Sequence, residues 1–270
     1  MPTVEIRGKR LHYLDEGQGP AVLFGHSYLW DHRMWSYQVE ALRRRCRCIV
    51  PDLWGHGQSA ALPTSPCDLA SLADDHGRLL EMLGIRDCVL VGLSAGGMWG
   101  ALLAKQRAKT TRGLVLMDTF LGPEPEENRQ RYFAMLDTVA QVGAIPSPLV
   151  DAVLPLFLGP RTLADNPVLV ADFRRDLAAL TPGKIPSVVA IGKALFGRPD
   201  HLEMLPSLVM PTLVVVGEHD LSRPVCESEN MVARLPNGEL TIIHDAGHVS
   251  AKEQPKQVNQ LLSKFLDRVL

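Results

Sequence analysis

The segment VLVGLSAGG, residues 89–97, places a serine at the end of an apolar run and surrounds it with glycines. A sharp turn from a buried strand into a helix would lift Ser94 clear of the sheet, and Gly92 and Gly96 are needed because Cβ atoms there would collide. The start of the helix adds N–H groups and a positive dipole, which suit a developing oxyanion. G-x-S-x-G therefore predicts a nucleophile. The simpler interpretation is a packing turn with an incidental serine, and no phosphate-binding glycine pattern is present.

A serine nucleophile needs a general base, and the base needs an acid that orients it. His248, in HDAGHVS, follows the last predicted strand, at the edge where α/β proteins place their sites. Asp220 ends the segment VVVGEHD after the preceding strand. The chain order serine, aspartate, histidine is the one expected for this architecture. Glu218 and Asp118 are the alternative acids, the latter because it ends the strand that follows the nucleophile.

The histidines near the end of the chain could instead form a zinc site. A cluster of His219, Asp220, His244 and His248 is conceivable, but the spacing does not match known patterns of zinc ligands. His56, in the segment GHG, is expected to support its own loop by hydrogen bonding.

Aromatic and apolar residues predict what the site binds. Trp30, Trp54 and Trp99 flank three of the loops that carry the candidate residues, and aromatic walls suit an apolar acyl chain or ring. Two segments, 145–159 and 185–197, are rich in Leu, Val, Ile and Phe and are expected to line a cleft as well as cover it. The motif loops hold no cluster of Arg or Lys that would anchor a carboxylate. We therefore expect an uncharged ligand of small to medium size.

Strands and helices alternate along most of the chain, which predicts a mostly parallel sheet with helices on both faces. The alternation is interrupted from Leu121 to about Pro206, where helical pieces and prolines replace the strands. The expected organisation is an α/β core of residues 1–120 and 207–270, with a helical cap of residues 121–206.

The composition is ordinary for a soluble globular protein and does not suggest a polyanion partner. The 270 residues are 46% hydrophobic and 21% charged, and the formal net charge is −2. The one dense basic run, RRRCR at 43–47, is too short to form a face for nucleic acid. We expect no membrane partner, because no apolar stretch is long enough to cross a bilayer and the N-terminus has no apolar signal core. The odd number of cysteines, five, fits a reducing compartment, so we expect a cytoplasmic protein. The oligomeric state cannot be predicted.

Five segments together resemble the α/β-hydrolase superfamily: VLFGHSYLWDHRMW, IVPDLWGHGQS, VLVGLSAGGMWG, TLVVVGEHD and DAGHVSAKEQP. Within it, GLSAGGM and HSYLWDHRMW resemble the small bacterial esterases, enol-lactonases and non-haem haloperoxidase-like enzymes. The resemblance implies an α/β-hydrolase fold, with an eight-stranded, mostly parallel sheet, helices on both faces and a helical cap inserted after strand six. It implies neither a cofactor nor a metal.

By this resemblance the catalytic residues are Ser94, Asp220 and His248, and the backbone N–H groups of Tyr28 and Ala95 form the oxyanion hole. A serine nucleophile also separates the chain from the haloalkane dehalogenases and epoxide hydrolases of this fold, which use an aspartate.

The chain departs from the family pattern at one position of the oxyanion loop. His26 matches the histidine of the usual His-Gly pair, and Ser27 replaces the glycine. Enol-lactonases can also lack this pair. The departure concerns the turn that would aim the Tyr28 N–H.

The function expected from these features is hydrolysis of a largely apolar carboxylic ester or lactone through an acyl-enzyme. Two alternatives use the same triad: hydrolysis of a carbon–carbon bond in a ring-fission product, and perhydrolysis in the manner of a haloperoxidase. A third is a receptor that binds a ligand on a hydrolase scaffold without turnover.

Overall fold

The computed structural model describes residues 2–63 and 67–270, which form an eight-stranded sheet with the order β1-β2-β4-β3-β5-β6-β7-β8. β2 pairs antiparallel with β1 and β4, and the remaining neighbours are parallel. The strands are β1 (Thr3–Ile6), β2 (Lys9–Glu16), β3 (Ala21–Gly25), β4 (Arg47–Pro51), β5 (Cys88–Leu93), β6 (Thr111–Met117), β7 (Thr212–Gly217) and β8 (Gly238–Ile243).

The central strands are buried on both faces, which is why they are apolar without interruption. In β5 every residue is buried, and its side chains point alternately into two hydrophobic cores. Leu90 belongs to one core, and Val89 and Val91 belong to the other. The predicted mostly parallel, doubly covered sheet is therefore confirmed.

Helices cover both faces of this sheet. α2 and α3 contribute to the core that contains Leu90, and α1 and α11 contribute to the core that contains Val89. The helices are α1 (Ser36–Leu42), α2 (Leu69–Met82), α3 (Ala95–Gln106), α4 (Glu126–Val142), α5 (Ser147–Phe157), α6 (Pro160–Asp165), α7 (Pro167–Ala178), α8 (Ile185–Phe196), α9 (Val225–Val232), α10 (Ser250–Glu253) and α11 (Pro255–Val269). Over residues 2–63 and 67–270, none of the helices combines the length and the apolar character that crossing a bilayer requires.

Residues 118–211, all of which the structure describes, separate β6 from β7 and contain no strand. They hold α4 to α8, which are called the inserted helices below. Their position after the sixth strand is the one that the sequence predicts. The division into a core of residues 1–120 and 207–270 and a cap of residues 121–206 stays a prediction.

Candidate active site

Ser94 lies at the junction of β5 and α3 with φ 54° and ψ −114°, a backbone conformation that residues other than glycine rarely adopt. Small neighbours make this turn possible. A Cβ at Gly92 would collide with the backbone of Gly96, and a Cβ at Gly96 would collide with the backbone of Gly25 in β3. The crowding of glycines thus allows the helix to approach the sheet while the buried Ser94 lines a cavity. Ser94 Oγ has no hydrogen-bond partner among the described residues.

His248 and Asp220 form a buried pair, and His248 lines the same cavity as Ser94. The two atoms His248 Nδ1 and Asp220 Oδ2 are 2.8 Å apart, and both side chains are almost fully buried. The other carboxylate oxygen, Oδ1, accepts hydrogen bonds from the backbone N–H groups of Ser222 and Arg223 at 2.8 and 2.9 Å. The carboxylate is therefore fixed by its own turn. Since Nδ1–H donates to Asp220, the imidazole presents Nε2 as its proton acceptor.

The alternative acid, Asp118, has different partners. It accepts hydrogen bonds from the Gly217 N–H at 2.8 Å and the Ser250 hydroxyl at 2.6 Å. Burial, together with the neighbouring charge of Asp220, raises the pKa of the Asp118 carboxyl well above its usual range. Glu218, the other alternative, contacts His244 at 3.4 Å at the surface. The structure therefore brings only Asp220, of the three candidate acids, against His248.

The two candidate oxyanion donors, the backbone N–H groups of Tyr28 and Ala95, belong to the oxyanion loop and to the start of α3. Residues 27–30 form a turn that the Trp30 N–H closes on the Ser27 carbonyl at 3.2 Å, with Leu29 at φ 67°. In this turn the Tyr28 N–H has no acceptor among the described residues, and the same is true of the Ala95 N–H at the first position of α3. Both residues line the cavity that Ser94 and His248 line. Ser27, the departure from the family pattern, is therefore compatible with a turn that leaves the Tyr28 N–H unpaired.

This apolar cavity is narrow, with a volume of about 100 Å³, and lies between the core loops and the inserted helices. As predicted, the segments 145–159 and 185–197 both contribute to its wall. α4 contributes as well, which the sequence analysis missed, although its apolar residues recur at helical spacing. The described lining residues are Tyr28, Leu29, Ser94, Ala95, Met98, Tyr132, Met135, Leu136, Val139, Ile145, Leu149, Val153, Leu156, Phe157, Val188, Leu195, Phe196, Ser222, Arg223 and His248.

None of the three candidate tryptophans is among those lining residues, so the prediction that they line the substrate cavity is wrong. Trp54 and Trp99 are buried in the core, where the Trp54 indole N–H donates to Asp75 at 2.8 Å. Trp99 stacks on the ring of His76, with 3.8 Å between the ring centroids. Trp30 lines a different, polar pocket, and its ring stacks on Phe173. Nearness in sequence to an active-site loop does not determine which way a side chain points.

The inserted helices are hydrogen-bonded directly to the loops that carry the candidate site residues. The Tyr28 hydroxyl donates to the Val188 carbonyl in α8 at 2.8 Å. The Ser222 hydroxyl donates to the Leu156 carbonyl in α5 at 2.7 Å. At the end of α5, Phe157 contacts the edge of the His248 ring, with 5.6 Å between the ring centroids.

A second buried polar cluster lies under the loop that follows β4. Asp52 accepts hydrogen bonds from His12 Nδ1 at 2.7 Å and His32 Nδ1 at 2.9 Å. Among the described residues, these three are the ones close enough together to hold a metal ion. None of these three residues belongs to the cluster of His219, Asp220, His244 and His248 that the sequence offered as a zinc site. Both histidines are already hydrogen-bonded to Asp52. His56 bonds to the Trp54 carbonyl at 2.9 Å, so it supports its own loop as predicted.

A family model described as the alpha/beta hydrolase fold matches residues 20–255. This range is most of the chain, and together with the sheet and the serine turn it shows that the chain belongs to the α/β-hydrolase family.

Individual relatives define the chemistry more narrowly. The 3-oxoadipate enol-lactonase 1 of Acinetobacter baylyi is 27% identical over 97% of this chain and 95% of its own. A thermophilic esterase from Thermogutta terrifontis, solved with malate bound, is 32% identical with a TM-score of 0.89, over 99% of this chain and 97% of its own. The enol-lactonase from Burkholderia xenovorans LB400 is 26% identical with a TM-score of 0.89, over 98% and 100%. At the level of the family, the chain is therefore a hydrolase of the ester- and lactone-cleaving kind.

Proposed function

We propose that this protein cleaves a small to medium, uncharged ester or lactone through an acyl-enzyme on Ser94. One observation carries the proposal: His248, held by Asp220 with 2.8 Å between Nδ1 and Oδ2, lines the same cavity as a serine in a strained turn. A strained backbone at the wall of a cavity is typical of a functional residue. A packing turn would explain the glycines but not the oriented imidazole.

In the first half of the reaction, Ser94 Oγ attacks the carbonyl carbon while its proton passes to His248 Nε2. The carbonyl oxygen becomes an oxyanion, which accepts hydrogen bonds from the backbone N–H groups of Tyr28 and Ala95. His248 then gives its proton to the leaving oxygen, which departs as an alcohol, or stays tethered when the substrate is a lactone. In the second half, His248 takes a proton from water, the resulting hydroxide attacks the acyl carbon, and Ser94 Oγ regains a proton. A catalytic hydrogen bond such as the one between Ser94 Oγ and His248 Nε2 often becomes short and well aligned only when the substrate is bound.

The cavity supports an apolar acyl group. Its wall is built largely of Leu, Val, Ile, Met and Phe side chains. Burial of each methylene contributes about 0.8 kcal/mol, or about fourfold in kcat/KM, until the space is filled. The narrow volume favours short acyl groups.

The test is a panel of 4-nitrophenyl esters of increasing acyl length, assayed beside several lactones, with the Ser94→Ala variant as control. We expect kcat/KM to climb over the first few acyl carbons and then to fall, and the variant to lose several orders of magnitude in kcat. A fluorophosphonate probe should label Ser94 in the wild type, as located by peptide mass spectrometry. Hydrolysis by folded Ser94→Ala at the wild-type rate would remove Ser94 from the mechanism.

The same panel separates the alternative functions. Labelling of Ser94 without steady-state turnover of any ester or lactone would favour a ligand receptor. Turnover of a ring-fission diketone alone would favour carbon–carbon bond hydrolysis. Oxidation of a halide in the presence of peroxide and a carboxylic acid, at a rate above that of ester cleavage, would favour perhydrolysis.

A further inference from the structure

Four charged side chains form a cluster at the wall of the apolar cavity: Glu124, Arg198, Arg223 and Glu227. Arg223 Nη2 and Arg198 Nη1 both donate to Glu124 Oε2, at 2.5 and 3.0 Å. Arg223 Nη1 also faces Glu227 Oε2 at 3.4 Å. The side chains of Glu124, Arg198 and Arg223 are at most 3% exposed.

Arg223 is the member of this arginine–glutamate cluster that lines the apolar cavity. Of the described residues that line the apolar cavity, it is the one with a Lys or Arg side chain. Its backbone N–H binds the Asp220 carboxylate at 2.9 Å, which places it next to the catalytic pair. A guanidinium in an apolar wall is the group that would bind a substrate carboxylate, often through two parallel hydrogen bonds.

Here the guanidinium already has a carboxylate partner. Two arginines and two glutamates give the arginine–glutamate cluster a formal charge of zero. A substrate carboxylate would have to displace Glu124 from Arg223 and would meet an uncompensated negative charge. The cluster therefore makes the cavity neutral although an arginine lies in its wall.

We propose that Glu124 determines specificity: by occupying Arg223, it makes the site select uncharged acyl groups over acyl groups that end in a carboxylate. The inference rests on the proposed ester hydrolysis and names the charge of the substrate that this same site accepts. Specificity of this kind arises from a repulsive element as much as from an attractive one.

The experiment compares two esters that have five acyl carbons each, 4-nitrophenyl pentanoate and 4-nitrophenyl hydrogen glutarate, after subtraction of uncatalysed hydrolysis. The quantity measured is the ratio of kcat/KM for the glutarate to kcat/KM for the pentanoate. Glu124→Gln keeps the size and an acceptor oxygen but leaves one positive charge in excess, so the ratio should rise by about tenfold or more. Arg223→Met leaves one negative charge in excess, so the ratio should fall. The double variant is neutral again and should return toward the wild-type ratio.

A purely structural role of the arginine–glutamate cluster would lower the stability of these variants without moving the ratio in opposite directions. A ratio that stays unchanged in folded Glu124→Gln, or that does not fall in Arg223→Met, overturns the proposal. Should Glu124→Gln fail to fold, the Arg223→Met ratio decides. A wild type that cleaves neither ester refutes the proposed function instead. Calorimetric titration of the same variants with free glutarate then tests the charge preference, and affinity that is equal in all of them overturns it.

Discussion

Two aspartates are buried at the carboxyl ends of β6 and β7, and their partners assign them different roles. Asp220 binds the imidazole of His248 and the N–H groups of its own turn. Asp118 binds the Gly217 N–H and the Ser250 hydroxyl, and burial raises the pKa of its carboxyl. Asp118 thus joins the loops that carry the candidate acid and base, without contact to the imidazole.

The two aspartates should respond differently to the same substitution. Asp220→Asn should lower kcat by up to about ten-thousandfold, because the amide would favour the wrong tautomer of His248. Asp118→Asn should lower kcat much less, because Asp118 binds the Gly217 N–H and the Ser250 hydroxyl and not the imidazole. Single-turnover and steady-state rates on a short-chain ester measure both effects. The assignment is wrong if Asp118→Asn is the more damaging change in folded protein.

Some of the candidate site residues could be predicted from the sequence, and others could not. Ser94, Asp220 and His248 each follow a strand in a recognisable segment, and parallel strands carry such residues to one edge of the sheet. Arg223 was missed because its neighbours in space, Glu124 and Arg198, are far away along the chain. The tryptophans were misassigned because the direction of a side chain depends on packing, which loop position does not reveal.

At the scale of elements, the approach of α3 to β3 determines the geometry of the serine turn. Gly96 in α3 contacts the backbone of Gly25 so closely that a Cβ would have no room, whereas a Cβ at Gly100 in the same helix would meet nothing within 4 Å. Backbone cannot move aside as the end of a flexible side chain can. α3 therefore contains both a critical glycine and a tolerant one.

Gly96→Ala should destabilise the protein by more than about 2 kcal/mol and abolish hydrolysis, because the helix must retreat from the sheet. Gly100→Ala is the matched control. It should be neutral or stabilise the fold by up to about 1 kcal/mol, because alanine is the better helix former. Urea unfolding and the rate of ester cleavage measure both variants. If the two variants were equally stable, the close contact between Gly25 and Gly96 would not be what excludes a side chain at position 96.

The sheet and its flanking helices could be predicted because each element carries its own period of apolar residues. The inserted helices carry the same signal, which is why their presence after β6 was predictable. Their arrangement over the cavity was not, since an amphipathic helix specifies a buried face but not the partner of that face. α4 in particular reaches the cavity through Tyr132, Leu136 and Val139.

For the whole molecule, buried histidines make stability depend on pH. Burial lowers the pKa of His56 and of His76 to about 4 each. The pKa of a histidine in the unfolded chain is about 6.5. Between pH 4 and pH 6.5 the unfolded chain therefore binds more protons than the folded one. The stabilisation is complete above the unfolded pKa and is lost as pH falls toward the folded value. His32 has the opposite sign: its pKa is raised, so its contribution is lost as pH rises.

The contribution of these two histidines to the free energy of unfolding should therefore fall from pH 6.5 to pH 4, by up to about 3 kcal/mol each. His76→Gln should reduce the slope of this free energy against pH by roughly 1.1 kcal/mol per pH unit between pH 4.5 and 6. Denaturant unfolding across this range measures the slope. Between pH 7.5 and 8.5 the variant and the wild type should have equal slopes. An unchanged slope below pH 6 would mean that His76 is not the group that takes up the proton.

The hydrogen bonds between the inserted helices and the loops that carry the candidate site residues have a consequence for protein engineering. Val188 and Leu156 each accept from a loop that carries a proposed site residue, and Gly159 packs against Gly247 beside His248. The insertion is thus not an interchangeable module. A chimaera that takes its inserted helices from a relative would need compatible residues at these contacts. Without them, the grafted helices would displace the loops that carry the candidate site residues.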